Sequence, residues 1–302
     1  MVLRSQGREI DRVESYFGLL ETRIGVDDHG APRLLLNGKP LFQMGVLEQG
    51  FWPDGLYRAP TDAALRFDIE TAKRLGFNLV RMHQKIEADR WYYWADRLGM
   101  LVRQDMPRGI NDTEESRRQF EAQLCRMVES RGNHPSIVLW VLFNNAWGKY
   151  DVARLVTALK RTDATRPVCA NSGSVDQGLG DITASDYFLD AAVPLLSRRQ
   201  AWVVGLLGGC SLRIADHQWP GNTFVDYSRA QTAEEMLERY EVRTRAIWRL
   251  REQSGLSACV YVQLYDVENE CNGLMTYDRK VLKAPVEKLR QLTTPPETAP
   301  PK

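Results

Sequence analysis

The sequence predicts an α/β protein, and within that class a single-domain (β/α)8 TIM barrel. Short apolar runs alternate with amphipathic helical stretches along the 302 residues, which is the pattern of a parallel sheet covered by helices. Eight runs of this kind favour a closed barrel over an open doubly wound sheet. No Gly-x-Gly-x-x-Gly motif opens a helix, which argues against a dinucleotide-binding fold.

Three segments divide the chain. Residues 1–36 form a lead-in, with the alternation of a strand over 13–25 and a turn-rich break at 27–32. Residues 37–290 carry the barrel. Residues 291–302, with the sequence QLTTPPETAPPK, are predicted to form a disordered tail because they contain few apolar residues and several prolines.

Local patterns define the first half of the barrel. An Asn-Gly turn at 37–38 precedes the first strand, 41–46. A long aromatic loop around Trp52 follows, which is either a binding loop or a packed cover. A helix is predicted from Thr61, with Gly76 as its stop. The alternation continues with strand two in 77–85, a helix over 89–99, strand three in 100–107 and a helix from 114 onward.

The fourth strand is the most informative stretch. Seven consecutive apolar residues, Ile137 to Phe143, stop abruptly at Asn144 and Asn145. Such a run predicts a strand buried on both faces, and the polar pair after it predicts side chains at a barrel mouth. A core strand followed by two loop asparagines is an equally compatible interpretation. The second half continues with a helix over 152–159, strand five in 166–173, strand six in 181–188, strand seven in 201–209, a helix opened by a Thr232–Glu235 capping box, and strand eight in 258–266.

Composition excludes several classes of function. Apolar residues make up 43% and charged residues 26% of the chain, as in ordinary globular proteins, and the formal net charge of +1 favours neither nucleic acid nor an anionic membrane as a partner. No apolar run approaches membrane-spanning length, and the N-terminus lacks the apolar centre of a signal peptide. The expected partner is a small-molecule ligand, and the oligomeric state is left open.

Cysteine and histidine usage bears on compartment and cofactor. The five cysteines are scattered without a CxxC pair, which suits a reducing cytosol and predicts a cytoplasmic protein. The four histidines show neither HxxxH nor HExxH spacing, so no zinc site is expected. No metal or other cofactor is predicted.

Residues 134–148, HPSIVLWVLFNNAWG, resemble the fourth barrel strand of glycoside hydrolase family 2, the family of β-galactosidases, β-mannosidases and β-glucuronidases. The family pattern ends in Asn-Glu, and its Glu is the general acid/base. Here Asn144 matches the Asn, whereas Asn145 stands in place of the Glu. The resemblance covers about residues 13–285 and implies a (β/α)8 fold whose lead-in is the remnant of a preceding β-sandwich. Its other motifs lie in 46–62, 81–107 and 263–279.

The resemblance also implies that the nucleophile is missing. In the family's closest branch a Glu at the end of strand seven lies in a Gly-Glu-Phe-Gly-Gly pattern, and residues 205–209 here read Gly-Leu-Leu-Gly-Gly, with Leu206 in place of the Glu. Retaining glycosidases need two carboxylates about 5–5.5 Å apart, and an alkyl side chain cannot attack an anomeric carbon. Ala146 in place of Gly, Leu207 in place of Phe, and Asp186-Tyr187-Phe188-Leu189 in place of His-Ser-Tyr-Pro indicate a mouth rebuilt by natural divergence.

Arg81 supports a specific prediction. In resembling barrels the arginine of strand two supports the nucleophile's charge, and a buried unpaired cation is costly. Arg81 is therefore predicted to pair with Asp105, with Asp186, or with an anionic ligand group. The candidate acid–base residues are Asp105, Asp186 and His83; the candidate ligand-binding residues are Glu48, Trp52, Arg81, Lys85, Asn144, Asn145, Trp147, Asp266 and Glu268. Each charged residue among these candidates is as compatible with a structural ion pair as with a ligand contact.

Three functions are compatible with these patterns. The preferred one is non-hydrolytic chemistry at the barrel mouth on a small molecule, with an anionic or glycosylated compound as the candidate, because polar residues are retained there. The second is a pseudoenzyme that binds a carbohydrate or a protein partner. The third is a residual glycosidase that uses substitute acids such as Asp186.

Overall fold

The computed structural model describes residues 1–145, 147–173, 177–187, 199–221, 224–226 and 228–296. The predictions made for Ala146, for Phe188 and Leu189, and for the last six residues of the tail lie outside these ranges.

Two small antiparallel sheets precede the barrel. Strands β1 (Val2–Ser5) and β2 (Arg8–Arg12) form an exposed hairpin, and β3 (Thr22–Val26), β4 (Pro32–Leu36) and β5 (Lys39–Pro40) form a three-stranded sheet. Leu34 of β4 is buried against the start of the barrel strands. The Thr22 hydroxyl donates to the Val138 carbonyl at 3.2 Å. The second sheet therefore closes the barrel at the end where its strands begin.

Eight parallel strands then form the barrel, as predicted, with helices between most of them. The two strands at the ends of the sheet's hydrogen-bonded order lie next to each other, since the Asp181 backbone N–H donates to the Val168 carbonyl at 2.8 Å. The elements are β6 (Gln43–Glu48), α1 (Asp62–Arg74), β7 (Leu79–Met82), α2 (Asp89–Leu98), β8 (Leu101–Asp105), α3 (Glu114–Arg131), β9 (Ile137–Asn144), α4 (Val152–Thr162), β10 (Val168–Ser172), β11 (Ile182–Tyr187), β12 (Ala201–Gly208), α5 (Ala233–Ser254), β13 (Ala258–Val262) and α6 (Val286–Thr293).

The helix caps follow from the sequence. The side chains of Thr61 and Thr232 accept hydrogen bonds from the third backbone N–H of α1 and α5, at 3.1 and 3.2 Å. Such caps satisfy N–H groups that the helix itself leaves unpaired. Gly76, with φ of 93°, follows α1 in the left-handed conformation that favours glycine. The predicted starts of both helices are confirmed.

Element boundaries differ from prediction in three places. The segment 13–21 has no regular structure, and the strand predicted there begins only at Thr22. The first barrel strand begins at Gln43 instead of 41, because Lys39–Pro40 pairs with β4 across the Asn-Gly turn. Helix α6 continues through Thr293, whose hydroxyl lies 2.7 Å from that of Tyr240. The first three residues of the predicted tail are therefore helical, and the third of them, Thr293, is buried.

Two apolar clusters fill the protein. One lies between the barrel strands and the helices, and the other fills the barrel interior. On β12, Val203 and Leu206 belong to the interior cluster, whereas Val204 and Leu207 belong to the outer one. This alternation, interrupted by a shift in register after Val204, directs Leu206 into the barrel at the end where the strands terminate.

Candidate active site

A buried ion pair lies inside the barrel at the carboxyl ends of β7 and β8. The Arg81 guanidinium donates to both carboxylate oxygens of Asp105, with Nη2 2.7 Å and Nε 3.0 Å from Oδ2. Arg81 also donates to the Gly205 carbonyl at 3.1 Å and to Oδ1 of Asn144 at 2.9 Å. Both charged side chains are almost completely buried. Of the partners predicted for Arg81, Asp105 is the one in contact.

His83 completes this network from the first position after β7. Its Nδ1 lies 2.9 Å from Oδ2 of Asp105, and its side chain is 14% exposed. Burial would raise the pKa of Asp105, but the Arg81 charge and the bonds from His83 and Arg81 outweigh it and hold the pKa at about 2. Burial lowers the pKa of His83 below its usual value. The carboxylate is therefore ionised at neutral pH and the imidazole neutral, with its proton on Nδ1.

Because Nδ1 carries the proton, Nε2 of His83 holds a free lone pair. None of the described residues donates a hydrogen bond to it. A neutral imidazole held in one tautomer by a carboxylate has the arrangement required of a general base. His134 and His217 also place Nδ1 2.7 Å from an aspartate, Asp96 and Asp278 respectively. The position at the barrel mouth, and not the pairing alone, distinguishes His83.

The fourth strand contributes hydrogen-bonding and aromatic groups to the same end of the barrel. Asn144 accepts from Arg81, which leaves its amide nitrogen available to donate. Asn145 has a φ of 54°, and its backbone N–H donates to the Ser172 carbonyl at 2.8 Å. The Trp147 side chain is exposed, with the Arg108 guanidinium 4.9 Å from the ring centre. An exposed ring of this kind offers a flat apolar surface beside polar groups.

Asp186 and Leu206 occupy paired positions on neighbouring strands β11 and β12. Leu206 is 9% exposed and packs into the barrel interior. Asp186 is half-buried, and its Oδ1 is buried without a hydrogen bond from any residue in the described ranges. Burial raises the pKa of Asp186, against the opposing charges of Arg81 and Arg103. Asp186 is therefore easier to protonate than an exposed aspartate.

Arg103 is a buried residue of this cluster that sequence reasoning missed. It is 1% exposed, and its Nη2 donates to Sγ of Cys169 at 3.6 Å and to Oγ of Ser172 at 3.3 Å. Its Nε has no acceptor among the described residues. Alternation along β8 places Arg103 on the same face as Asp105, two residues later. That spacing was the available signal in the sequence.

Glu48, Trp52 and Lys85 lie elsewhere, which corrects the prediction that they line the mouth. Leu47 points into the barrel, so its neighbour Glu48 points outward, toward Asp68 and the Arg279 side chain. The Arg279 guanidinium pairs with Asp68 and lies 3.9 Å from the Trp52 ring centre. Lys85 donates to the carbonyls of Gly50 and Tyr57, both at 2.9 Å, and pairs with Glu87. These groups fasten the loop after β6 to the outside of the barrel.

The structure also corrects the predictions made for the two acidic residues after β13. Asp266 is buried and accepts from Nζ of Lys283 at 2.6 Å and from the Gly273 backbone N–H at 2.8 Å. Burial raises its pKa to about 6 despite the Lys283 charge. Glu268 is exposed, with a φ of 49°. The structure therefore places Asp266 in a loop ion pair and gives Glu268 no contact with the Arg81–Asp105–His83 network.

The described ranges offer no metal cluster, and the buried thiols of Cys169 and Cys210 are not activated. No three His, Cys, Asp or Glu side chains among these residues come together in a way that could hold a metal ion. Burial raises the pKa of the Cys169 and Cys210 thiols, which disfavours the reactive thiolate. Within the described part of the chain no helix is both long and apolar enough to cross a membrane.

Known proteins share this architecture and part of this sequence. The family model described as "Glycosyl hydrolases family 2, TIM barrel domain" matches residues 29–205. A β-galactosidase of Klebsiella pneumoniae (strain 342) is 34% identical over 164 residues, which are 51% of this chain and 16% of that enzyme. A β-galactosidase of Enterobacter cloacae is 33% identical over the same length. The match thus spans only a small part of these curated relatives.

Solved structures resemble nearly the whole chain. A GH2 β-galacturonidase from Eisenbergiella tayi bound to galacturonate has a TM-score of 0.74 at 19% identity, covering 92% of this chain and 55% of that one. A β-glucuronidase from Parabacteroides merdae has a TM-score of 0.73 at 17% identity, covering 97% of this chain and 40% of that one. At these identities the likeness shows the fold.

Proposed function

The chain belongs to family 2 of the glycosyl hydrolases through its TIM barrel domain, and we propose that its barrel mouth performs general-base chemistry, other than retaining hydrolysis, on a small sugar-like molecule. The observation that carries this proposal is the His83–Asp105 pair, with Nδ1 2.9 Å from Oδ2. In it Asp105 orients the imidazole, and Nε2 of His83 accepts the proton of a bound ligand.

Two replacements support a reaction other than retaining hydrolysis. By the family resemblance, Asn145 stands at the acid/base position and Leu206 at the nucleophile position. Asn145 cannot donate a proton as a carboxylic acid does, and Leu206 packs in the apolar interior cluster. Asp105 cannot serve as the general acid, because Arg81 and His83 keep it ionised. It is also a poor nucleophile, because the hydrogen bonds from Arg81 and His83 occupy both of its oxygens.

The ligand class is supported by the mouth and by the relatives. Asn144 offers a free amide and Trp147 an exposed ring, which together suit a hydroxylated, ring-shaped molecule. The relatives are named as β-galactosidases, and a solved structure of the same fold holds galacturonate. A sugar or sugar acid is therefore the proposed ligand.

Proton exchange in D2O, followed together with product formation, tests the proposal. A base that removes a carbon-bound proton leaves deuterium in its place, and a base that removes a hydroxyl proton is detected by the new species that results. The full chain would be incubated with galactose, galacturonate, glucose and glucuronate, and NMR would follow exchange at carbon and the appearance of new species. We expect exchange or turnover of at least one compound with the wild-type protein, and its loss in His83→Gln. His134→Gln and His217→Gln are matched controls, because each removes a similar His–Asp pair elsewhere.

Two outcomes would contradict the proposal. Binding without exchange or turnover would indicate a carbohydrate-binding pseudoenzyme. Hydrolysis of 4-nitrophenyl β-galactoside or β-glucuronide with retention of configuration would indicate that substitute acids act, and Asp186→Asn would then identify the acid.

A further inference from the structure

We propose that Arg103 and Ser172 form a subsite for an oxyanion, the carboxylate or phosphate ester of the ligand, beneath the rim of the barrel. This inference rests on the proposed function, since it concerns the ligand of the same mouth. Arg103 carries a guanidinium that is buried and lacks a contacting carboxylate among the described residues. A buried cation without a counter-ion is strongly unfavourable, so a functional reason for its retention is expected.

The donors of this subsite are still available. Nε of Arg103 has no acceptor in the described ranges. Nη2 donates hydrogen bonds to a thiol and to a hydroxyl, which are weak acceptors for a cation. The Ser172 hydroxyl accepts from Arg103 and keeps its own proton to donate. A single oxyanion could therefore accept charge-assisted bonds from Arg103 and a further bond from Ser172.

The titratable groups around Arg103 leave its charge without a bonded counter-ion in the described ranges. Asp105 is engaged by Arg81 and His83, and Cys169 has a pKa raised by burial. The Asp186 carboxylate also interacts with the Arg103 charge, yet its buried Oδ1 has no hydrogen bond from the described residues. An incoming oxyanion would compete with ionised Asp186 for the same positive charge. The subsite is consequently occupied best when Asp186 is protonated.

The position of the subsite agrees with access from the mouth. Ser172 ends β10, and its carbonyl accepts the backbone N–H of Asn145 at the rim. A Cβ at Gly205 would lie 2.5 Å from Oγ of Ser172 and 3.4 Å from Oδ1 of Asp186. Glycine at 205 is therefore required for these two polar groups to approach the backbone of β12 this closely.

Calorimetric titration with matched neutral and anionic sugars tests the inference. The pairs would be galactose with galacturonate and glucose with glucuronate, and the 6-phosphates of both sugars would separate carboxylate from phosphate recognition. We expect the wild-type protein to bind one anionic form at least about tenfold more tightly than its neutral counterpart, as charged hydrogen bonds imply. Arg103→Met should bring that ratio to about one, and the exposed Arg126→Met should leave it unchanged.

Thermal unfolding of Arg103→Met, together with a second variant, Arg103→Gln, gives an independent readout. Replacing a buried unpaired cation by an apolar side chain should raise the Tm of the unliganded protein, so Arg103→Met should melt higher than wild type. A fall in Tm of both Arg103→Met and Arg103→Gln would show a structural partner and overturn the inference. Equal affinity for neutral and anionic sugars would overturn it while sparing the proposed function. Failure of every sugar to bind would overturn both.

Discussion

Oδ2 of Asp105 lies 2.7 Å from Nη2 of Arg81, in the interior of the barrel. The same oxygen lies 2.9 Å from Nδ1 of His83. One carboxylate therefore neutralises a buried arginine and fixes the tautomer of the histidine at the mouth. Asp105 therefore supplies the counter-charge that the buried Arg81 requires.

Asp105→Asn should destabilise the protein by about 3–5 kcal/mol, because it leaves the buried Arg81 charge uncompensated. Urea unfolding at pH 7 would measure the free energy. Asp62→Asn is the matched control, since Asp62 pairs with Arg90 at 2.6 Å on the surface, where solvent screens an ion pair and its contribution to stability is small. Equal effects of the two substitutions would contradict the role assigned to Asp105.

The pKa of His83 in the folded protein should lie below the value of about 6.5 that a histidine has in the unfolded chain. Because the folded protein disfavours the protonated imidazole, His83 contributes stability that is complete above about pH 6.5 and is lost as the pH falls below it. NMR titration of the imidazole Cε1–H signals would give the pKa, with His83→Gln assigning the signal. A pKa at or above 6.5 would remove the neutral base on which the proposed chemistry depends.

The substitution Glu48→Gln should stabilise the protein relative to the wild type, and the difference should grow as the pH rises. Burial, together with the charges of Asp68 and Glu87, raises the pKa of Glu48 well above 4.5. The Glu48 contribution to stability is therefore complete below about pH 4.5 and is lost as the pH rises through the folded pKa. At high pH an amide should gain about 1–3 kcal/mol over a buried carboxylate whose Oε2 has no hydrogen bond from the described residues.

Tm measured from pH 5 to 9 would check this expectation. The exposed Glu238→Gln is the control, and its Tm should follow that of the wild type. A variant Glu48→Gln that melts below the wild type at every pH would mean that the ionised carboxylate is the stabilising form.

The barrel could be predicted because its signals are local. Apolar runs, Thr caps and Gly stops specify each strand and helix from a few neighbouring residues. The face on which a side chain lies was harder to predict: every residue of β6 is buried, so alternation does not tell whether Leu47 or Glu48 points inward. Arg103 was missed although it lies two residues before Asp105, because that spacing shows the face of the strand but does not show which groups contact the guanidinium. The finding that no carboxylate among the described residues contacts Arg103 depends on the arrangement of β8, β10 and β11 in the folded barrel.

The C-terminal boundary illustrates the same difference and supports a last prediction. Composition placed 291–302 in a disordered tail, yet the Leu292 carbonyl accepts from Nε1 of Trp248 at 3.0 Å and Thr293 bonds Tyr240. Truncation after Arg290 removes both bonds and the last turn of α6, and should cost about 2 kcal/mol, or roughly 4–8 °C in Tm. Truncation after Pro296 is the control and should leave the Tm unchanged, because these contacts lie within 291–293. Equal melting of the two truncated proteins would show that the end of α6 contributes nothing to stability.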